Sequence, residues 1–553
     1  MTLNQILKSI DKKEWKFVLI ISAVLIIITT IPFLYGYLNA PPGHFFYGYH
    51  SLTPGDFPVY FSYINQIKAG AFSLKNYFTS ESQTSSIFNI FWLIIGSLAR
   101  LFNLPASFAF QIVRILLIPV FCLTFYIFAS YFFQEKIKRK ITMIFAAFCS
   151  GLGAYFVVSL DKLFPVDQFN DNYKWPIDLW VPESNIFLSL YHSPLLIASL
   201  ICLICFFLLM LLAWENNKYQ YSLVAGLIGL IWFNFHPYYA PYSYIILFIF
   251  LLILLWRQKK IKYLYHYLLA VCLSLPAVFY HYYKIKTDYM VGLRAMQNQT
   301  KSPEFFYILI GFGFLFLLAL LGICKLFKDK EIFKNEKMQF LLIWLGTVFA
   351  LLYAPIFFQR RFLEGLQLPM IFLALIGLYY LKELLEQRAK KLFNFFRSNI
   401  IIALYLFLIL FCLTNIFNLT RDFYYFSKRF DIFYLPNEFI TSLNWLAADN
   451  KENKIILTSQ FTGNLIPGLV NQRVYLGHGD ETLDFANKQV QVNNFLSNNL
   501  NAEQEKTLIK ANNIGYLFLT DLERRFYQAE DKKYWQEVLQ EGEIEIYKFS
   551  EAN

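Results

Sequence analysis

Apolar residues in this chain come in long unbroken blocks, at 18–31, 115–133, 186–213, 244–256, 305–323 and 400–412, each almost free of charge. A helix needs about 20 mostly apolar residues to cross a hydrocarbon core about 30 Å thick, because each residue advances it about 1.5 Å. Several blocks reach that length alone, and the others reach it with their flanking aromatics. The pattern predicts about eleven transmembrane helices, at 17–36, 107–133, 141–160, 185–213, 219–235, 238–256, 267–283, 304–324, 338–357, 366–382 and 398–418. A further apolar stretch, 87–101, carries Arg100 at its end and runs at once into Asn103 and Pro105. It reads as an interfacial or re-entrant helix that does not cross. The connection containing it, 37–106, is then unusually long, and it is too aromatic for disorder. The first block has no small-residue cleavage site and belongs to the repeating pattern, so it reads as a span rather than a signal peptide.

Past Leu419 the texture changes to mixed polar and apolar residues. Short runs of strand type at 454–459, 473–476, 514–519 and 543–549 alternate with helical patterns at 437–448, 485–498 and 502–511. Such alternation predicts a small α/β domain. The expected organisation is a transmembrane module over 1–420 and a soluble domain over 421–553.

Composition agrees with the pattern: 57% of the 553 residues are hydrophobic, 16% are charged, and mean hydropathy is +0.42. The net charge of +11 would suggest a nucleic-acid partner, but its distribution argues against one. With the N-terminus inside, the inner connections hold 23 Lys and Arg residues and the outer ones 11. The positive-inside rule therefore predicts a multi-pass protein of the cell membrane with a cytoplasmic N-terminus and an extracytoplasmic C-terminal domain. All seven cysteines lie in or beside apolar segments, Cys202 and Cys205 included. They read as packing residues, with neither a disulfide framework nor metal-ligand spacing.

Charged groups in a membrane protein are costly, so the side on which they gather is informative. The first outer loop holds His44, His50, Lys75, Glu81 and Asp56. The second holds Asp161, Asp167, Asp171, Asp178 and Glu183. His236 ends the fifth span in Asn234-Phe235-His236-Pro237, and Arg360, Arg361 and Glu364 join the ninth and tenth. Four loops thus bring acids, bases and cations to the expected outer face.

Here the chain resembles the GT-C superfamily of polytopic glycosyltransferases, which take sugar from a polyprenyl-phosphate carrier. Four features carry the resemblance. They are Thr53-Pro54-Gly55-Asp56-Phe57-Pro58 soon after the first span, the membrane-edge helix near 88–101, the acidic second loop ending Trp180-Val181-Pro182-Glu183-Ser184-Asn185, and an outer domain after the last span. Gln359-Arg360-Arg361-Phe362-Leu363-Glu364-Gly365, Thr462-Gly463-Asn464 and Tyr475-Leu476-Gly477-His478-Gly479-Asp480-Glu481-Thr482 look like segments of bacterial members, of the protein mannosyltransferase and aminoarabinose transferase kind. The Asp-Glu pair of some branches is absent, since Phe57 follows Asp56.

The resemblance implies a GT-C-like α-helical fold and a glycosyltransferase that moves a sugar from a polyprenyl-phosphate donor to an acceptor glycan, lipid or protein at the outer face. It implies Asp56 as catalytic base, Glu183 as second carboxylate, and Arg360, Arg361 and Lys75 as groups for the donor phosphate. His236, Asp178, His478 and Glu481 become candidate substrate contacts. Each has a plainer reading. Asp56 after Pro-Gly is a turn residue, Glu183 is a helix-start acid, Arg360 and Arg361 are interface anchors, and Lys75 is a solvated lysine. His236 hydrogen-bonds backbone at a helix end, and His478 and Glu481 stabilise the soluble domain. No cofactor is called for and no Cys/His cluster asks for a metal, although the acidic second loop leaves a divalent ion open. Two other functions stay in play: a flippase or transporter of lipid-linked saccharides, and a non-catalytic scaffold with an outer binding domain.

Overall fold

The computed structural model describes the chain apart from residues 84–85, 158–173, 332–333, 392–393, 396–398, 528, 530–531 and 551–553. Asp161, Asp167 and Asp171 of the expected second outer loop lie outside the described residues. Among the described residues, eight helices are long and apolar enough to cross a membrane. They are Lys12–Leu38, Ala106–Phe132, Pro194–Asn216, Tyr239–Gln258, Lys262–Thr287, Phe305–Lys328, Gln359–Arg388 and Ile401–Ser427. Shorter helices, Lys136–Phe148, Tyr219–Phe235 and Glu336–Leu351, fall at the other three expected positions.

The expected third span at 141–160 is corrected. Its helix stops at Phe148, and Ser150-Gly151-Leu152-Gly153 leads into a 3-10 turn at Gly153–Phe156. Glycines lose more freedom in a helix than any other residue, so this sequence ends it. The fourth expected span is broken at Ser193-Pro194: Ile186–His192 precedes it, and Ser193 caps Pro194–Asn216 through the Leu195 N–H. The last span runs on past Leu419 to Ser427. Arg421 and Asp422, beyond the expected end at 418, are buried within it, where Tyr191 donates to Asp422 and Arg421 donates to Leu179 O at 3.2 Å. The second span also carries a wholly buried cation. Arg114 donates to Thr29 Oγ1 at 2.8 Å, Thr30 Oγ1 at 3.1 Å and Leu190 O at 3.2 Å, so hydroxyls and a carbonyl replace its water.

The chain divides into two compact units. Unit 1 comprises residues 1–32, 112–281 and 300–424; unit 2 comprises 33–111, 282–299 and 425–553. The first long connection therefore belongs to the same unit as the C-terminal residues. In unit 1, Phe305–Lys328 lies backbone to backbone with the helix Gln367–Arg388. A Cβ on Gly377 would stand 1.8 Å from Leu318 O, so only glycine permits this approach. Small residues at such contacts let helices pack closely in lipid.

In unit 2, strand β1 (His44–Phe46) pairs antiparallel with β2 (Tyr434–Pro436). A four-stranded sheet follows, built from β3 (Ile455–Leu457), β4 (Ile514–Leu519), β5 (Trp535–Glu541) and β6 (Ile544–Phe549), in the order β3-β4-β6-β5. β3 and β4 are parallel and the other pairs antiparallel. Leu457, Leu517, Val492, Phe495 and Ile509 form its core with the helices Phe485–Leu496 and Ala502–Ala511. The second of these starts at a capping box, in which Asn501 and Gln504 satisfy each other's backbone N–H groups. The membrane-edge stretch is a helix at Ile90–Leu101. Its 12 residues reach about 18 Å, short of a hydrocarbon core of about 30 Å.

Candidate functional site

Unit 2 brings together Asp56 and His478. Thr53-Pro54-Gly55 makes a tight turn in which Thr53 takes φ 45° and its carbonyl accepts the Asp56 N–H at 3.2 Å. The helix Asp56–Lys68 starts there, burying Phe57, Phe61 and Ile64 and leaving Asp56 half-buried at its first position. A carboxylate in the first turn is favoured by the helix dipole. Asp56 Oδ1 lies 3.2 Å from His478 Nε2. The Asp480 N–H donates to His478 Nδ1 at 3.2 Å, which in the neutral ring leaves the proton on Nε2, facing Asp56. Burial by itself lowers the proton affinity of this imidazole. The hydrogen bond and charge of Asp56, with Glu481 and Asp480 behind it, outweigh burial and hold the pKa above the ordinary histidine value.

The segment carrying His478 is fixed at several points. The Thr482 N–H donates to His478 O at 2.8 Å, and Thr482 Oγ1 accepts the Gly477 N–H at 3.0 Å while donating to Phe78 O at 2.7 Å. Gln297, in the helix Tyr289–Gln297, donates to Gly479 O at 3.0 Å and Thr482 O at 2.6 Å. Arg294, one turn earlier, pairs with Glu481 and donates to Tyr63 Oη at 3.0 Å. Glu481 is thus held by a cation, and Arg294 is a site residue that sequence reasoning missed. The signal was present: like Arg360 and Arg361, it is an arginine on the side that the charge trend leaves poor in cations. Lys75 is exposed, and its described hydrogen bonds, to Gln66, run through its backbone.

Unit 1 forms a second charged cluster. A 3-10 turn, Gln359–Leu363, presents Arg360 and Arg361, and Gly365 then turns the chain into the helix Gln367–Arg388. Gly365 has φ 78°, and a Cβ there would stand 2.3 Å from Leu203 Cδ2, so no other residue fits. Arg361 Nη1 pairs with the buried Glu183 Oε1 at 3.0 Å and lies over the Tyr238 ring. Arg360 lies over Trp180 at 4.9 Å from the ring centroid, and its buried Nε has no hydrogen-bond partner among the described residues. Tyr239 donates to the buried Glu364, with Arg361 O 2.9 Å from its oxygen. His236 Nδ1 lies 3.7 Å from Glu364 Oε2. Burial, with Arg361 adding to it, pushes the His236 pKa down to about 3, so the ring is neutral.

Two sequence expectations receive a different setting. Glu183, expected as second carboxylate, is 5% exposed and paired with Arg361. Asp178 is wholly buried in the turn Ile177–Leu179, accepting the Gly153 N–H at 3.2 Å. Burial pushes its pKa up to about 7, offset in part by hydrogen bonds from Thr414 and Gly153. Among the described residues, no three His, Cys, Asp or Glu side chains are grouped so as to hold a metal ion.

No protein-family model and no curated protein matches the sequence. Solved structures do match. An oligosaccharyltransferase of Archaeoglobus fulgidus, tethered to an acceptor peptide containing the NVT sequon, superposes with a TM-score of 0.52 at 12% identity, covering 92% of this chain and 69% of that one. The archaeal oligosaccharyltransferase AglB of the same organism, in complex with an inhibitory peptide and a dolichol-phosphate, gives 0.53 at 13% identity, covering 98% and 75%. An apo form of the Archaeoglobus fulgidus enzyme gives 0.53 at 11%, covering 95% and 73%. At such identities the likeness concerns architecture. The chain is a multi-pass membrane protein with the GT-C fold and a small C-terminal sheet.

Proposed function

We propose that this protein is a membrane glycosyltransferase that moves a sugar from a polyprenyl-phosphate donor to an acceptor on the extracytoplasmic face. The observation that carries the reading is the Asp56–His478 contact. It joins residues 422 positions apart on a fold shared with enzymes that transfer glycans. Two of the neighbouring structures hold an acceptor peptide and a dolichol-phosphate respectively, which supports a lipid-linked donor.

The reaction needs few parts, because a sugar on a carrier phosphate already has a stable leaving group. The acceptor nucleophile loses its proton to Asp56 as its bond to the anomeric carbon forms and the bond to the carrier phosphate breaks. His478, whose Nε2 lies 3.2 Å from Asp56 Oδ1, orients the carboxylate. Arg360 and Arg361 take the phosphate, for which a planar fork of donors is suited. Glu183 acts through Arg361, as a positioning residue. Incubating the purified full chain with a panel of radiolabelled polyprenyl-phosphate sugars and acceptor peptides, glycans and lipids tests the reading. Label should pass to an acceptor from at least one donor. Binding of donors without transfer to any acceptor, together with their movement across vesicle membranes, would favour a flippase instead.

A further inference from the structure

A partly open cavity of about 270 Å³ lies at the other end of the unit 1 helices. Sixteen residues of continuous helix separate Gln367, beside the arginine turn, from Glu383 at this cavity, about 24 Å along the axis. Lys138, Lys325, Glu383, Tyr379 and Tyr380 supply its polar lining. Phe133, Leu375 and Ile376 supply an apolar wall. Three helix ends meet there. Lys325 is in the last turn of Phe305–Lys328, Glu383 is near the end of Gln367–Arg388, and Phe133 directly follows Ala106–Phe132. Each end leads into one of the basic connections that the charge distribution places in the cytoplasm.

We propose that this cavity binds the phosphate-bearing headgroup of a membrane phospholipid. Tyrosine rings hold both ammonium groups in place: Lys138 Nζ is 5.0 Å from the Tyr379 centroid and Lys325 Nζ 5.1 Å from that of Tyr380. Lys325 also pairs with Glu383 at 2.8 Å and Asp329 at 3.3 Å, and Lys138 with Glu135. Glu135 and Asp329 hold these lysines from outside the cavity lining, so the two ammonium groups and Glu383 are the charges that face the cavity. A phosphate entering the cavity meets two ammonium groups, each with N–H donors beyond those its carboxylate partners take. Glu383 is left to keep Lys325 or to accept an amine of the headgroup. The apolar wall beside this pair, at the level where three spans end, suits acyl chains that stay in the bilayer. Basic pockets between helices at the cytoplasmic side have this chemistry. A free phosphate would use the lysines and leave the apolar wall exposed.

Native mass spectrometry of the detergent-purified full chain, titrated with phosphatidylethanolamine, phosphatidylglycerol, diacylglycerol and inorganic phosphate, tests the site. Both phospholipids should be retained at least five times more than diacylglycerol, and millimolar phosphate should not displace them. Lys138→Gln with Lys325→Gln should abolish that preference, Lys138→Arg with Lys325→Arg should keep it, and Glu383→Gln, which frees Lys325, should strengthen retention of phosphatidylglycerol. Equal retention of diacylglycerol, or an unchanged preference in a monodisperse double Gln variant, would overturn the proposal. Displacement by inorganic phosphate would reassign the cavity to a soluble anion.

Discussion

Asp56 and Glu183 are both carboxylates set against a nitrogen base, but their surroundings give them opposite capacities. Asp56 is 40% exposed and faces an imidazole whose pKa is held above the ordinary histidine value. Glu183 is 5% exposed and faces a guanidinium that stays charged throughout. The first arrangement can exchange a proton with an incoming group. The second is fixed, and its product is a well-placed cation. Two similar-looking acids in connecting segments therefore have different surroundings, and burial is what separates them.

The largest effect that bears on this contrast is expected in turnover. Asp56→Asn keeps the shape of the side chain and removes the basic oxygen, so the rate of transfer should fall about 100- to 10,000-fold with donor binding retained. Glu183→Gln should instead weaken donor binding. If Glu183→Gln stopped the chemistry at saturating donor while Asp56→Asn did not, the two roles would be exchanged.

In stability the order should reverse. Arg361→Gln strands a buried carboxylate and should cost about 3–5 kcal/mol, the usual result of removing one partner from a buried pair. Asp56→Asn removes a half-exposed charge and should cost under about 1 kcal/mol. Thermal unfolding in detergent reads both. Adding Glu183→Gln to Arg361→Gln should recover part of the loss, and further loss in that double variant would show that the pair is not the reason.

A smaller effect is expected from pH at the Asp56–His478 contact. The folded-state pKa of His478 is raised, so its contribution to stability is full below the unfolded value of about 6.5 and is lost as pH rises through the folded value. Comparing the melting temperature of the parent chain with that of His478→Gln between pH 5.5 and 8.5 should give a difference that shrinks with rising pH; a constant difference would mean that the pair does not titrate there. Smallest of all, Lys75→Gln should leave turnover and donor affinity within about twofold, as expected of an exposed lysine held only through its backbone.

The spans were legible because membrane burial writes itself as uninterrupted apolar runs, and the breaks were legible only in part. Gly151 and Gly153 ended a helix that hydropathy alone would have carried on to residue 160. The last span did the reverse: read as ending at 418, it runs on and buries Arg421 and Asp422. In the small domain the strand at Ile514–Leu519 and the helix at Ala502–Ala511 were read to the residue, since one is wholly apolar and the other has a capping box. The strand Trp535–Glu541 was missed because it is an edge strand with mostly polar residues. The helix Gln460–Leu469 was hidden by Gly463, Pro467 and Gly468. Asp56 and His478 were each legible as candidates from their local motifs. Their contact was not, because nothing local specifies a partner more than four hundred residues away.

The pairing of β1 with β2 has a consequence for how the chain is made. Residues 44–46 leave the ribosome 388 residues before their partners at 434–436, a wait of roughly 20 to 80 s at 5–20 residues per second. Throughout that interval every span between them must be inserted while an early strand edge stays unpaired and open to the wrong neighbour. The contact of Asp56 with His478 waits longer still, because His478 follows β2 in the chain. A nascent chain released just before residue 434 would hold all eight long apolar helices of the described residues and lack the partner of Asp56.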